Sequence, residues 1–174
     1  MKKLFYPLAA LILIAASAFT FFKGQDWTIG SNYSIKFSSS DPSGVFTGLK
    51  GAVSFDEKNL GGSKFDVTVD VASINTGNGM QNTHAKSAQW FDAEKYPVIK
   101  FTSSQISKSS EGYEAKGTLD LHGVQKEITI PFTFKDNTFS GSFQVNRNDF
   151  NLNPDNKKAG SDIKVEVSVP VTKS

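Results

Sequence analysis

The strongest constraint on the fold of this chain is a two-residue alternation of apolar and polar side chains after residue 23. Phenylalanine and valine alternate with aspartate and threonine in residues 65–71, and residues 128–134 and 164–171 alternate in the same way. Successive side chains of a β-strand point to opposite faces, so this alternation predicts strands with one buried face. No long segment of the same region has the period of about 3.6 residues that marks an amphipathic helix. The sequence therefore predicts an all-β domain.

Eight strands follow from this pattern. The predicted strands are residues 27–37, 44–55, 63–73, 98–108, 112–121, 124–135, 138–147 and 162–172. Turn residues separate most of them, for example Asn59-Leu60-Gly61-Gly62, His122-Gly123 and Asp136-Asn137. Short turns between consecutive long strands indicate an antiparallel meander, and eight such strands close readily into a barrel. We therefore predict an extended antiparallel eight-stranded β-barrel.

Two of the predicted connections, residues 74–97 and 148–161, are much longer than the others. The first contains an Asn-Thr-Gly-Asn turn, a single histidine, and Pro97 just before the next strand. A connection of this length is uncommon inside a compact domain and is usually functional. We expect a short helix in the 74–97 connection, around Lys86 to Asp92.

The N-terminus has the pattern of an export signal. Lys2 and Lys3 precede an almost wholly apolar run at residues 4–16, and residues 16–18 form an Ala-Ser-Ala cleavage site. We therefore expect a signal peptide over residues 1–18. The alternative is an uncleaved anchor that extends to about residue 22, because three phenylalanines lengthen the apolar run towards the length of a membrane span.

Either outcome predicts a periplasmic or secreted barrel domain over residues 27–172. Removal of Lys2 and Lys3 lowers the Lys and Arg count from 19 to 17, which equals the 17 Asp and Glu residues. The mature chain is then about neutral and has no run of basic residues, so a nucleic-acid partner is not expected. Cysteine is absent, so the hydrophobic core alone must stabilise the domain.

The inward face of the predicted barrel is large and apolar. A barrel of eight strands is just wide enough to be filled by its own side chains or to hold one small ligand, and the alternation is compatible with both. The long strands favour a chain-like ligand over a round one. The candidate ligand-binding residues are Phe37, Phe55, Val67, Val69, Val71, Ile99, Phe101, Leu119, Phe132, Phe134, Phe143 and Val167.

Catalytic and metal-binding chemistry finds little support in the sequence. There is no cysteine, no G-x-S-x-G motif and no paired His or Cys spacing that would suggest a metal site. Both histidines, His84 and His122, fall in predicted loops, and His122 lies in a tight turn. We expect no enzymatic activity, no metal and no cofactor apart from a bound lipid ligand.

Two polar residues are candidates for the barrel rim or for contact with a ligand head group. His84 lies in the 74–97 connection, where it would either line a ligand entrance or make a structural hydrogen bond. Arg147 is the single arginine among 19 basic residues, which suggests a requirement for the forked guanidinium. It would either form a bidentate pair with an acid such as Asp149 or Asp162, or bind a ligand head group.

Short motifs follow one another along nearly the whole mature chain in an order that resembles a known family. They are Trp27-Thr28-Ile29, Ser34-Ile35-Lys36-Phe37, Gly48 to Gly51 with Phe55, Val69-Asp70-Val71-Ala72-Ser73-Ile74-Asn75-Thr76, His84, Phe91-Asp92, Tyr96-Pro97 with Ile99 and Phe101, Gly117-Thr118-Leu119, His122-Gly123-Val124, Asn146-Arg147-Asn148-Asp149-Phe150 and Gly160-Ser161-Asp162-Ile163. This ordered set is similar to the YceI-like, polyisoprenoid-binding family.

The resemblance implies a lipocalin-like barrel, exported in bacteria, whose interior holds an isoprenoid or similar long-chain lipid. It implies binding, carriage or storage and not catalysis. Some positions depart from the family pattern, among them Glu127 in place of a frequent proline and Asn151 in place of a frequent glycine. Thr83 and Ala85 also flank His84 where an acid and a leucine are common. These departures concern loop shape and ligand choice.

The function expected from the sequence is that of an exported binding protein for isoprenoid or other long-chain lipids, with quinones and polyprenyl lipids as candidates. Two alternatives stay open: a structural or stress-response envelope barrel without a ligand, and a lipid hydrolase that uses His84. The expected partners are the lipid itself and, transiently, a membrane surface. The expected oligomeric state is a monomer or a homodimer.

Overall fold

The fold is a closed antiparallel β-barrel, seen in a computed structural model that describes residues 24–40, 42–156 and 160–174. The signal peptide or anchor predicted before residue 23 lies outside these ranges. The described strands are β1 (Asp26–Ile29), β2 (Ser34–Ser38), β3 (Ser43–Phe46), β4 (Leu49–Ser54), β5 (Lys64–Asp70), β6 (Val98–Ser109), β7 (Gly112–Leu121), β8 (Val124–Lys135), β9 (Thr138–Asn146) and β10 (Asp162–Lys173). One α-helix, α1 (Gly79–Lys86), and three short 3₁₀ helices, Leu60–Gly62, Val71–Ser73 and Arg147–Phe150, complete the described elements.

Ten strands form an eight-stranded barrel because two predicted strands are each broken in the middle. The predicted strand 27–37 is divided into β1 and β2, and the predicted strand 44–55 into β3 and β4. β1 pairs with β4 and β2 pairs with β3, so each broken pair occupies one strand position. β10 closes the barrel by pairing with β9 along one edge and with both β1 and β2 along the other. The predicted antiparallel eight-stranded barrel is therefore confirmed.

The break between β1 and β2 accommodates the proline in β10. Four residues, 30–33, lie opposite only two residues of β10 between the pairs Ile29–Val171 and Ser34–Ser168. Gly30 N donates to Pro170 O at 2.8 Å, which shows that Pro170 turns its backbone groups towards this break. The proline lacks an N–H, and it lies where the ladder is already interrupted, so the missing donor does not weaken a regular strand pair.

Two tight turns have the backbone conformation that antiparallel hairpins favour. His122 and Gly123 have φ values of 54° and 72°, and Asp136 and Asn137 have φ values of 49° and 54°. Two successive positive φ values are typical of the type I′ turn, whose twist matches that of the flanking strands. A Cβ atom on Gly123 would also lie 2.5 Å from the ring of Tyr96, so this position requires glycine for space as well as for conformation.

The helix in the long connection lies earlier than predicted. It is α1, and the expected helix around Lys86 to Asp92 is wrong, since the chain forms turns over residues 87–96. The cause is the Asn78 side chain, which caps the helix by accepting hydrogen bonds from Met80 N at 2.9 Å and Gln81 N at 3.2 Å. In the part of the chain that the structure describes, no helix is long and apolar enough to cross a membrane.

The two ends of the barrel differ. The β2–β3, β5–β6, β7–β8 and β9–β10 connections, including both long ones, lie at one end, which we call the mouth end. The opposite end is filled by a cluster of rings that we call the aromatic plug. Its members are Trp27, Phe55, Phe65, Tyr113, Phe132, Phe134 and Phe139. Phe55 lies at its centre, with five neighbouring ring centroids at 5.1–6.3 Å.

Candidate ligand-binding cavity

The barrel encloses a cavity of about 510 Å³ that extends from the aromatic plug to the mouth end. Phe55, at the centre of the plug, and Ala115, beside it, are each only 1% exposed. Inward-facing residues nearer the mouth, such as Phe37, Val67 and Val165, are only half-buried although they point away from the outer surface. A packed core would bury all of them alike. The barrel is therefore filled at one end and hollow towards the other.

Nine of the twelve candidate ligand-binding residues line this cavity. They are Phe37, Val67, Val69, Ile99, Phe101, Leu119, Phe132, Phe143 and Val167. That they contact a ligand stays a prediction, but their placement makes a continuous apolar wall. They come from β2, β5, β6, β7, β8, β9 and β10, so the wall surrounds the cavity.

Phe55, Val71 and Phe134 are not among the residues that line the cavity. Phe55 and Phe134 face inward but belong to the aromatic plug, with their ring centroids 5.1 Å apart. Val71 is 1% exposed and lies in a 3₁₀ helix, because β5 ends at Asp70. The Asp70 carboxylate accepts a hydrogen bond from Ala72 N at 2.9 Å and so starts this turn before the predicted end of the strand.

The strand pattern did not identify several cavity residues that lie in the broken strands and the long connections. They include Ile35, Phe46, Leu49, Ile74, Ala85, Trp90, Phe91 and Leu152. Phe46 and Leu49 flank the break between β3 and β4, which interrupts the alternation. Trp90 and Phe91 are bulky apolar residues within a polar connection, and that contrast is the signal from which an inward position could have been inferred.

Polar groups border the cavity at the mouth end. Ser39 lies on the β2–β3 connection, Gln81 and His84 on α1, and Asn156 on the β9–β10 connection. His84 is exposed, and among the described residues its imidazole makes no hydrogen bond, so the structural bond considered for it is not formed there. Its position beside the cavity agrees with the predicted entrance, although a ligand contact stays a prediction.

Arg147 is 2% exposed and lines the cavity beneath the β9–β10 connection. Its guanidinium donates to the carbonyl oxygens of that connection: to Gly160 O at 2.9 Å, Leu152 O at 2.7 Å, Asn156 O at 2.5 Å, and also Asn153 O. The forked guanidinium of Arg147 therefore donates to backbone carbonyl oxygens. The two acids considered as partners have other contacts, since Asp149 pairs with Lys126 at 3.3 Å and Asp162 accepts from Asn146 at 3.0 Å.

The two long connections contact each other beside the cavity. The Arg147 guanidinium lies 5.6 Å from the centre of the Trp90 ring. Tyr96 packs edge-on against His122 at 4.8 Å, and His122 Nδ1 lies 3.1 Å from Phe150 O. His122 is thus partly buried between the connections, although it lies in a tight turn. These contacts form a continuous rim on this side of the mouth.

The cavity carries little charge. Arg147 is the single charged residue among the described residues that line it. No group of three His, Asp or Glu residues that could hold a metal ion occurs within the described ranges. The clearest pKa perturbation lies outside the cavity, at Tyr113 in the closed end. The hydrogen bond to Glu57, together with burial and the charge of Glu57, raises the pKa of Tyr113 to about 12. An apolar wall with a polar mouth is an arrangement suited to holding an apolar molecule.

Comparison with known proteins agrees with this geometry. The family model described as the YceI-like domain matches residues 17–171. UPF0312 protein YE1254 of Yersinia enterocolitica is 31% identical over 136 residues, which cover 72% of this chain and 71% of that protein. UPF0312 protein plu2095 of Photorhabdus laumondii is 38% identical over 87 residues, and that match spans 50% of this chain but only 45% of the relative.

Solved structures share the fold. BcnA of Burkholderia cenocepacia superposes with a TM-score of 0.77 at 25% identity, covering 84% of this chain and 100% of that one. The YCEI protein of Campylobacter jejuni gives a TM-score of 0.66 at 25% identity, covering 79% and 88%. A polyisoprenoid binding domain from Saccharophagus degradans gives 0.62 at 16% identity, covering 87% and 100%, which shows a common fold.

Proposed function

The chain belongs to the YceI-like family, and from this premise we propose that its barrel binds an isoprenoid or other long-chain lipid. The observation that carries the proposal is the cavity of about 510 Å³, which is apolar along its wall and polar at its mouth. The Saccharophagus degradans domain of the same fold is a polyisoprenoid binding domain, and the proposal extends that ligand class to this chain.

Burial of the lipid tail supplies the binding free energy in this proposal. Each methylene removed from water contributes about 0.8 kcal/mol, and the costs of association and ordering offset part of the sum. Such binding requires no charged contact with the tail, which fits a wall without carboxylates or lysines among the described residues. Quinones and polyprenyl lipids both satisfy this requirement, because both combine a long apolar tail with a compact head group.

The proposed role is carriage, storage or scavenging of the lipid and not its hydrolysis. A hydrolase that used His84 would need a nucleophile within hydrogen-bond reach of the imidazole. In the described residues, the His84 side chain has no Ser, Thr or Asp partner. We also propose that the protein is exported with residues 1–18 as its signal peptide, so that it acts in the periplasm or outside the cell.

Native mass spectrometry of protein purified from cells without added detergent tests the proposal. We expect a bound species whose mass, after extraction, is that of a prenyl or long-chain lipid. A barrel that is always empty and takes up no prenyl lipid when offered one would contradict it.

A matched pair of variants then locates the site. Val69→Trp places a large ring in the cavity wall and should block uptake, whereas Thr68→Trp, which faces outward from the same strand, should leave it unchanged. Equal uptake by both variants, with the barrel fold intact by circular dichroism, would show that the lipid binds elsewhere.

A further inference from the structure

We propose that the mouth end of the barrel docks on a phospholipid bilayer, with the exposed side of α1 at the membrane interface and Met80 inserted into it. This inference rests on the proposed function, because docking would deliver a lipid from the membrane to the cavity. The occupant of the surface is the bilayer itself, and not a second protein.

The exposed apolar side chains support this placement. In the described ranges, two large hydrophobic residues are exposed: Met80, at 74%, and Val98, at 45%. Met80 lies on α1 and Val98 is the first residue of β6, so both belong to the mouth end. Single exposed apolar residues are ordinary in proteins, but here they occur at the one end where the cavity has its polar border.

The distribution of charge independently supports docking of the exposed side of α1 on a bilayer. Residues 71–85, which lead into and form most of α1, contain no Asp, Glu, Lys or Arg. At the chain's overall 21% charged content, about three would be expected in these 15 residues. By contrast, the β4–β5 connection at the closed end has three charged residues in succession, Asp56, Glu57 and Lys58. An uncharged polar surface is much less costly to bring into a membrane interface than a charged one.

The remaining charged residues of the long connection come after this uncharged run. They are Lys86, Asp92, Glu94 and Lys95. Two of these four are positive and two are negative, and the 148–161 connection at the same end carries Asp149, Asp155, Lys157 and Lys158, which balance as well. The two long connections therefore have no excess of positive charge, so attraction to anionic lipid is not the basis of the docking. We therefore expect binding to zwitterionic phosphatidylcholine vesicles with little dependence on salt.

The packing of α1 connects the exposed side to the cavity. None of its residues is buried, yet Gln81, His84 and Ala85 line the cavity while Met80 faces solvent. A single helix thickness therefore separates the docking surface from the ligand site. Specific protein interfaces bury about 1,200 Å² or more, far beyond what one methionine and its polar neighbours supply. Brief insertion into a bilayer requires much less area.

The absence of cysteine from the chain allows a direct test. Met80→Cys and Ser110→Cys, the second in the exposed turn at the closed end, are each labelled with a polarity-sensitive fluorophore and mixed with phosphatidylcholine vesicles. We expect a blue shift and higher intensity for the label at position 80 and no change at position 110. No change at position 80, or equal changes at both positions, would overturn the proposal. A shift at position 80 that follows protein concentration without vesicles would show a second copy instead and would also overturn it.

A second measurement separates docking from ligand binding. Met80→Ser should slow transfer of a prenyl alcohol from vesicles to the barrel by roughly fivefold, the effect of losing one partly buried methionine side chain. Its affinity for the same alcohol added from solution should equal that of the unaltered protein. Unchanged transfer in Met80→Ser would contradict the docking surface. If the protein binds no prenyl alcohol but the label at position 80 still responds to vesicles, the proposed function fails and the docking surface stands.

Discussion

The size of the cavity predicts how affinity depends on the length of a prenyl chain. A water molecule occupies about 30 Å³ of liquid, and a methylene group is of similar size, so 510 Å³ accommodates on the order of 17 such groups. That corresponds to between three and four isoprene units of five carbons each. Each added methylene contributes about 0.8 kcal/mol, or roughly a fourfold change in Kd, less the ordering cost. We expect affinity to rise steeply up to about 15–20 carbons and then to level off.

The tryptophan in the cavity wall supplies the assay. The chain has two tryptophans, of which Trp90 lines the cavity and Trp27 belongs to the aromatic plug. Titration with all-trans prenyl alcohols of two to nine units, followed by fluorescence, gives a Kd for each length. Trp90→Phe is the control that should remove most of the response. Affinity that is flat from ten carbons, or that still rises from 20 to 45, would refute the reasoning.

A variant at the floor of the cavity should move the point at which affinity levels off. Phe65 lines the cavity and also contacts the aromatic plug, with its ring centroid 5.4 Å from that of Phe132. Phe65→Ala should therefore deepen the cavity towards the closed end and shift the plateau to a longer chain. The same plateau in both proteins would show that the plug does not set the depth of binding.

Three further predictions concern the parts of the barrel around the cavity. Phe55→Ala should lower the free energy of unfolding in urea by about 3–5 kcal/mol. Phe37→Ala should lower it by clearly less, because Phe37 borders the cavity. Equal losses would contradict the distinction between the aromatic plug and the cavity wall. Arg147→Lys removes the forked guanidinium that donates to the carbonyl oxygens of the β9–β10 connection. Amide hydrogen exchange should therefore accelerate at residues 152–156 but not in β8, and unaltered exchange would argue against this role. The pKa of Tyr113 is raised from 10.0 to about 12, so its contribution to stability is complete below pH 10 and is lost as pH approaches 12. Glu57→Gln should lower this pKa in a titration followed by phenolate absorbance. An unchanged midpoint would refute the hydrogen bond to Glu57 as the cause of the raised pKa.

The alternation of side chains was sufficient to predict the barrel but not the breaks in its strands. Strands β6, β7 and β8 have nearly the predicted bounds because each runs uninterrupted between tight turns. The breaks at residues 30–33 and 47–48 depend on which strands pair on either side of them, and the alternation of side chains does not contain that information. The position of α1 depended on the Asn78 cap, a local signal that the apolar pattern does not contain.

The division of the interior into plug and cavity could not be predicted from the pattern of strands. Phe55 and Val67 both face inward by alternation, but the first lies in the plug and the second in the cavity wall. Their depth along the barrel depends on strand register and stagger, which the periodicity leaves open. The partners of Arg147 could not be predicted from the sequence either, because they are backbone carbonyls of a connection whose path is irregular.

The way in which β10 joins both β1 and β2 has a consequence for how the chain folds. The two ends meet there, with Thr28 Oγ1 2.7 Å from Ser174 Oγ across a separation of 146 residues. Seven of the eight contacts between strand positions join positions that are neighbours in the sequence. The eighth contact, between β10 and both β1 and β2, requires the final dozen residues. Loop closure over such a separation is slow relative to local hairpin formation. We therefore expect barrel closure, and with it the hollow interior, to form late in folding, because β10 is the strand that connects β9 to both β1 and β2.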